Sequence, residues 1–104
     1  MTIEYIRYKL EPAQSEAFLQ AYCDAANQLD ASPYCLAYEL SECEEESGQF
    51  MLRIEWSSTE EHMNGFRKSE GFPAFFSKVK TYFSNIQEMR HYLVTEMVNR
   101  KEPI

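Results

Sequence analysis

A chain of 104 residues with 44% hydrophobic and 14% aromatic content is long enough for one domain with a single modest core. Its formal charge of −7 and pI near 4.8 weigh against nucleic acid and anionic membranes as partners, and basic residues come only in short groups such as Arg67–Lys68. The chain holds no apolar run of the ~20 residues a membrane helix needs and no signal core in MTIEYIRYKL, and Cys23, Cys35 and Cys43 have no C-x-x-C or zinc spacing, which together suggest free thiols in a cytoplasmic protein.

Thr2–Leu10 alternates as a strand, with Glu4, Ile6, Tyr8 and Leu10 on one side and Ile3, Tyr5, Arg7 and Lys9 on the other. Pro12 suits the first turn of a helix, where its missing N–H costs nothing. Ala13, Ala17, Phe18, Ala21, Tyr22, Ala25, Ala26 and Leu29 then recur at helical spacing, and Asp30–Pro33 stops the helix. Cys35–Cys43 alternates with Leu36, Tyr38 and Leu40 together, and Phe50–Trp56 with Phe50, Leu52, Ile54 and Trp56 together. Gly48, in the turn between them, is a candidate for positive φ. Matching the apolar faces sets Leu40 opposite Leu52, Tyr38 opposite Ile54 and Glu39 opposite Arg53. A slip of two residues would set Glu39 beside Glu55, a disfavoured like-charge pair.

Ser58 and Glu61 form a capping box directly after the third strand. The helix they start breaks near Gly65 and Gly71, and Pro73 opens a second piece with a stripe of Phe72, Phe75, Phe76, Val79, Phe83 and Ile86. Ile86–Val94 is the last strand. The chain therefore divides into one domain over residues 1–94 and a polar tail over 95–104.

The order β-α-β-β-α-β is the ferredoxin-like α+β arrangement, a four-stranded antiparallel sheet with both helices on one face. The other face would carry Ile3, Tyr5, Arg7, Cys35, Ala37, Glu39, Met51, Arg53 and Glu55, too apolar for an ordinary wet surface and too charged for a dry core. Pairing two such faces around a cavity resolves the conflict and predicts a homodimer; the alternative is a monomer with an amphipathic face. On the last strand either Arg90 with Glu88 or His91 with Met89 points into that cavity, with a slight preference for His91 and Met89.

The segment Phe50–Phe76, followed by Glu88-Met89-Arg90-His91-Tyr92, resembles the antibiotic biosynthesis monooxygenase family, whose members are small dimeric α+β barrels. The resemblance covers nearly the whole chain in element order. In residues it lies in the strand-ending Trp56, in His62 on the following helix, and in Gly65-Phe66-Arg67-Lys68-Ser69 through Phe76. It implies a cofactor-independent monooxygenase that oxidises a hydroquinone or other electron-rich phenol with O2, without metal or flavin. In that reading His62 is the base, Arg53 the cationic stabiliser, Trp56, Phe66 and Phe72 a stacking wall, and Glu39 and His91 further substrate contacts. The haem-degrading branch of the family uses an asparagine on the first strand and a histidine on the second long helix. Here those places hold Ile6 or Arg7 and no histidine from Phe66 to Phe83, which weighs against haem breakdown.

Each of these residues also has a plainer role open to it. His62, beside Glu60 and Glu61, suits an exposed histidine near a helix cap; Trp56 suits a core anchor, Glu39–Arg53 a cross-strand ion pair, and the phenylalanines packing. Two histidines separated by a helix and a strand match no metal-ligand spacing, so no metal site is expected. No basic neighbour marks Cys35 or Cys43 as a nucleophile. Convergence of His62 and Arg53 on one pocket favours the enzyme. A filled pocket with His62 in water favours a non-catalytic, ligand-binding or stress-associated dimer.

Overall fold

Alternation along four segments builds one antiparallel sheet in the computed structural model, which describes residues 1–101. The strands β1 (Thr2–Lys9), β2 (Cys35–Glu42), β3 (Gln49–Trp56) and β4 (Ile86–Leu93) lie in the order β2-β3-β1-β4, the ferredoxin-like topology. The β2–β3 register follows the charge argument: Leu40 faces Leu52, Tyr38 faces Ile54 and Glu39 faces Arg53. Gly48 closes the turn before β3 at φ 88°, and a Cβ there would lie 2.4 Å from the Leu10 carbonyl oxygen, so glycine is required twice over.

Pro12 opens a 3-10 turn (Pro12–Gln14) that runs into α1 (Ser15–Ala31), whose buried seam is Phe18, Tyr22, Ala25 and Leu29. That seam is narrower than the alanine-rich stripe, since Ala13 and Ala17 are exposed. Phe18 is fully buried at the centre of an aromatic cluster, with ring centroids 4.8 Å from Tyr8, 5.1 Å from Tyr22, 4.9 Å from Phe50 and 5.1 Å from Tyr82. Edge-to-face pairs of this kind add about 0.5–1.5 kcal/mol each beyond the area they bury.

After β3 the chain makes no regular helix at first. Ser58 Oγ accepts the Glu61 N–H at 3.0 Å, a π turn (Glu61–Gly65) and a 3-10 turn (Phe66–Lys68) follow, and only then does α2 (Gly71–Val79) form. A Cβ on Gly65 would fall 2.6 Å from the Tyr34 ring, so this irregular stretch packs against Tyr34 at glycine distance. A further 3-10 turn (Lys80–Asn85) ends α2. Its tighter winding changes the phase of the stripe, so Tyr82 is buried and Phe83, expected inside, is 58% exposed.

Two bulges also move side chains. In β2, Cys35 pairs with Trp56 and Ala37 with Glu55, leaving Leu36 as the extra residue, 54% exposed, while Cys35 packs on the core rather than on the open face. In β4, Tyr8 pairs with Ile86 and Arg7 with Glu88, so Gln87 is extra. Ile86, Met89 and His91 consequently share the helix side, and Tyr92 meets Tyr5 on the open side at 5.5 Å. Residues 94–101 contain no helix or strand, and the last part of the expected tail, 102–104, lies outside the described residues. No helix among the described residues is long and apolar enough to cross a membrane.

Candidate functional site

The helix-facing side of β1 reads Thr2, Glu4, Ile6, Tyr8, and the carboxylate in that row, Glu4, is 2% exposed. Burial of a carboxyl demands partners, and three elements supply them. At the end of β3, Trp56 donates its Nε1–H to Glu4 Oε1 at 3.1 Å. From the π turn, His62 (3% exposed) lies parallel on the Trp56 ring, with centroids 4.2 Å apart and planes at 12°, and sets Nε2 3.6 Å from Glu4 Oε1. From β4, His91, the cross-strand neighbour of Glu4, brings Nε2 to 2.7 Å from His62 Nδ1. The Ser58 carbonyl holds the start of this turn by accepting the His62 N–H at 3.1 Å. A π turn adds one residue to the helical period, a device that recurs where a side chain must be re-aimed.

Burial pushes the Glu4 carboxyl above its ordinary range, against the Trp56 hydrogen bond and the charge of Arg67, which pull it down. Burial, with His91 and Arg67 beside it, lowers His62 from 6.5 to about 3, so its imidazole is neutral at pH 7. Burial and Arg67 likewise lower His91. One proton lies between the two rings. When His62 Nδ1 carries it, His62 Nε2 presents a lone pair to Glu4; when His91 Nε2 carries it, His62 Nε2–H faces Glu4. The buried carboxyl is thereby linked through His62 to the half-buried His91.

Glu4, Trp56 and His62 line a cavity of about 120 Å³ between the sheet and the helices. Ile6, Ile54, Trp56, Phe72, Phe75 and Val79 form its walls, Arg67 and His62 its polar side, and the hydrogen-bonded hydroxyls of Tyr8 and Tyr22 a second polar point. Burial pushes Tyr8 up to about 12 and Tyr22 up as well, so both remain phenols. The mouth is apolar: Phe76, Phe83 and Met89 are 39%, 58% and 39% exposed. An apolar cavity of roughly 150 Å³ accepts benzene, so this one is of the size of a single aromatic ring.

Glu4, His62 and His91 have metal-binding atoms within 4.8 Å of one another, a two-histidine, one-carboxylate set that could hold zinc or iron(II). The sequence spacing gave no sign of it, because the three meet only in the folded sheet. The 2.7 Å separation of the two nitrogens is a hydrogen-bond length, and the charge of Arg67 acts on all three groups against a further cation.

Of the residues singled out from the sequence, His62, Trp56, His91 and Phe72 come together here, and Phe66, 2% exposed, backs Trp56 at 5.1 Å. Arg53 does not join them. Strand alternation that turns Ile54 and Trp56 toward the helices turns Arg53 and Glu55 to the open face, where they form an ion pair at 2.6 Å. Glu39, exposed and opposite Arg53, is likewise remote from His62. The expected convergence of His62 and Arg53 is therefore absent, and the ring-sized cavity lies within one chain on the opposite side of the sheet from the face offered for pairing. His62 is also not the exposed histidine of the plainer reading. Glu4 and Arg67 join the site without having been expected there; for Glu4 the sequence does carry a signal, a carboxylate in the apolar row of an alternating strand. Cys35, pushed up to about 11 by burial, is no nucleophile at neutral pH.

Residues 1–78 match the family model described as antibiotic biosynthesis monooxygenase. An uncharacterized protein of Bacillus subtilis (strain 168), YczJ, is 23% identical over 92 residues, covering 88% of this chain and 97% of its own length. Among solved structures, candidate antibiotic biosynthesis monooxygenases superpose closely. The one from Deinococcus radiodurans has a TM-score of 0.73 at 18% identity, covering 98% of this chain and 100% of its own. The one from Bordetella bronchiseptica has a TM-score of 0.72 at 18% identity, covering 90% and 96%.

Proposed function

This chain belongs to the antibiotic biosynthesis monooxygenase family, and on that premise we propose that it oxidises a small electron-rich phenol with O2, without a cofactor, in the cavity between sheet and helices. The observation that carries the reading is a ring-sized apolar cavity lined by a buried carboxyl and by the His62 imidazole, which is hydrogen-bonded behind it to His91. A phenol bound there gives its proton to the Glu4–His62 unit. Burial makes Glu4 a stronger proton acceptor than an ordinary carboxylate, and His62 relays to His91 behind it. The phenolate, held in a low-dielectric site, passes one electron to O2. The phenoxyl radical and superoxide then join at a ring carbon to give a peroxide, and the proton returns to it. Loss of water, taking the hydrogen of that ring carbon with the distal oxygen, leaves a quinone, so one oxygen atom enters the ring and the other departs as water. Trp56 and Phe72 are the stacking walls, and the parallel stack on Trp56 holds the His62 ring in position.

The open face supports pairing with a second copy of the chain. It combines the Tyr5–Tyr92 aromatic pair with the Arg53–Glu55 ion pair, a mixed surface suited to an interface, and Arg53 and Glu39 belong to that surface in this reading.

The test is O2 uptake by purified protein, without added metal or flavin, across single-ring and polycyclic hydroquinones and phenols. Uptake should exceed the spontaneous rate, fall at least about tenfold in His62→Ala and Glu4→Gln, and persist in Arg53→Ala. The suppressed basicity of His62 favours one rival, a protein that sequesters an aromatic ligand without turnover. Absence of uptake with every compound, alongside ligand binding, would transfer the assignment to it.

A further inference from the structure

We propose that the cavity selects a single-ring aromatic anion, with Arg67, which forms no ion pair among the described residues, as its counter-charge. The inference deepens the reading above by naming the ligand class of the same cavity, and rests on that cavity being the ligand site. Arg67 sits in the 3-10 turn Phe66–Lys68, lines the cavity, and places Cζ 5.9 Å from the centre of the Phe72 ring. Its Nε is buried without a hydrogen-bond partner. The ion pairs among the described residues are Arg53–Glu55 and the His62–Glu4 contact, and neither involves Arg67. Glu4, the buried carboxyl of this cavity, takes its hydrogen bond from Trp56 instead.

A guanidinium carries five donors and no acceptor, and a shielded donor without a partner is a standing cost that a bound acceptor removes. The planar fork matches a carboxylate or phenolate oxygen better than a neutral group. The charge also reaches Glu4, His62 and His91, where it stabilises negative charge and opposes a cation. About 120 Å³ between Trp56 and Phe72, entered past Phe76, Phe83 and Met89, limits the apolar part of the ligand to one ring. A phenolate and an aryl carboxylate share this chemistry.

Trp56 is the single tryptophan of the chain and lines the cavity, so its fluorescence reports occupancy. Benzoate, pentafluorophenolate and the uncharged isostere benzamide are titrated at neutral pH into wild type, Arg67→Gln, Arg67→Lys and Lys68→Gln, each checked for folding by circular dichroism. At least one anion should bind about tenfold or more tighter than benzamide, and the tighter anion tells carboxylate from phenolate. Arg67→Gln should abolish the preference and Arg67→Lys restore part of it. Lys68→Gln, which removes an exposed charge one residue away, should leave the preference intact. Equal binding of anion and amide, unchanged anion binding in Arg67→Gln, or no binding by any probe overturns the proposal. The titration involves no turnover, so anion binding without O2 uptake keeps this inference and removes the oxygenase reading. Uptake without anion preference does the reverse.

Discussion

On the helix side of the sheet, Glu4, His62 and His91 are linked by close polar contacts inside an aromatic core. On the open side, Arg53 and Glu55, alternate residues of β3, form an ion pair whose side chains are 29% and 19% exposed. The separation is one residue in the chain and one strand thickness in space, yet the physics differs. Burial on the helix side shifts Glu4 and His62 toward their neutral forms. On the open side water screens the pair, and Arg53 keeps its charge, reinforced by Glu55. The contrast separates a buried polar cluster beside an apolar cavity from a solvent-screened ion pair on the face proposed for pairing.

The largest effect that would sharpen the contrast belongs to the helix side. Phe18→Ala should lower stability by about 3–5 kcal/mol, because the aromatic cluster cannot collapse into the space left between β1, β3 and α1. Urea unfolding with an unchanged slope and a lower midpoint is the expected record. A loss below about 1 kcal/mol would mean that the cluster is loosely packed.

The pH dependence comes next. His62 is lowered to about 3 when folded, so between about pH 3 and 6.5 the unfolded imidazole binds a proton that the folded one does not. Its contribution rises with pH across that window, is complete above 6.5, and is lost as pH falls toward 3. Glu4 acts in the opposite sense. Its folded carboxyl holds a proton above the ordinary 4.5, so its contribution is present below 4.5 and lost as pH rises through the folded value. His62→Phe should therefore flatten the rise in unfolding midpoint with pH, and Glu4→Gln should steepen it above 4.5. Superimposable profiles for wild type and both variants would contradict the buried pair.

The smallest stability change is expected on the open face. Arg53→Leu should alter unfolding by less than about 1 kcal/mol, while changing the concentration dependence of sedimentation. Wild-type protein that sediments as a monomer at micromolar concentration would remove the pairing proposed for this face.

How far the residues could be read in advance depended on whether a local rule governed them. Glu39 opposite Arg53 was legible because like charge excluded the neighbouring register, and Gly48 because a short turn demands positive φ. Phe83 was misplaced because periodicity assumes 3.6 residues per turn, and the chain winds more tightly after Val79. His62 and Trp56 are legible from the strand-ending tryptophan and the turn after it, whereas Arg53, also on β3, faces away from the cavity because alternate residues of a strand point to opposite sides.

By itself the sequence determined which side of β1 and β3 is apolar, the β2–β3 register and the element order that gives the fold. These follow from side-chain period and nearest-neighbour charge, both written locally. Only the tertiary structure decided that Leu36 and Gln87 bulge, that His91 therefore shares a face with Ile86, and that residues 4, 62 and 91 meet. An extra residue in a ladder has no local signature: packing against the helix layer selects it, and that packing exists only once the sheet is assembled.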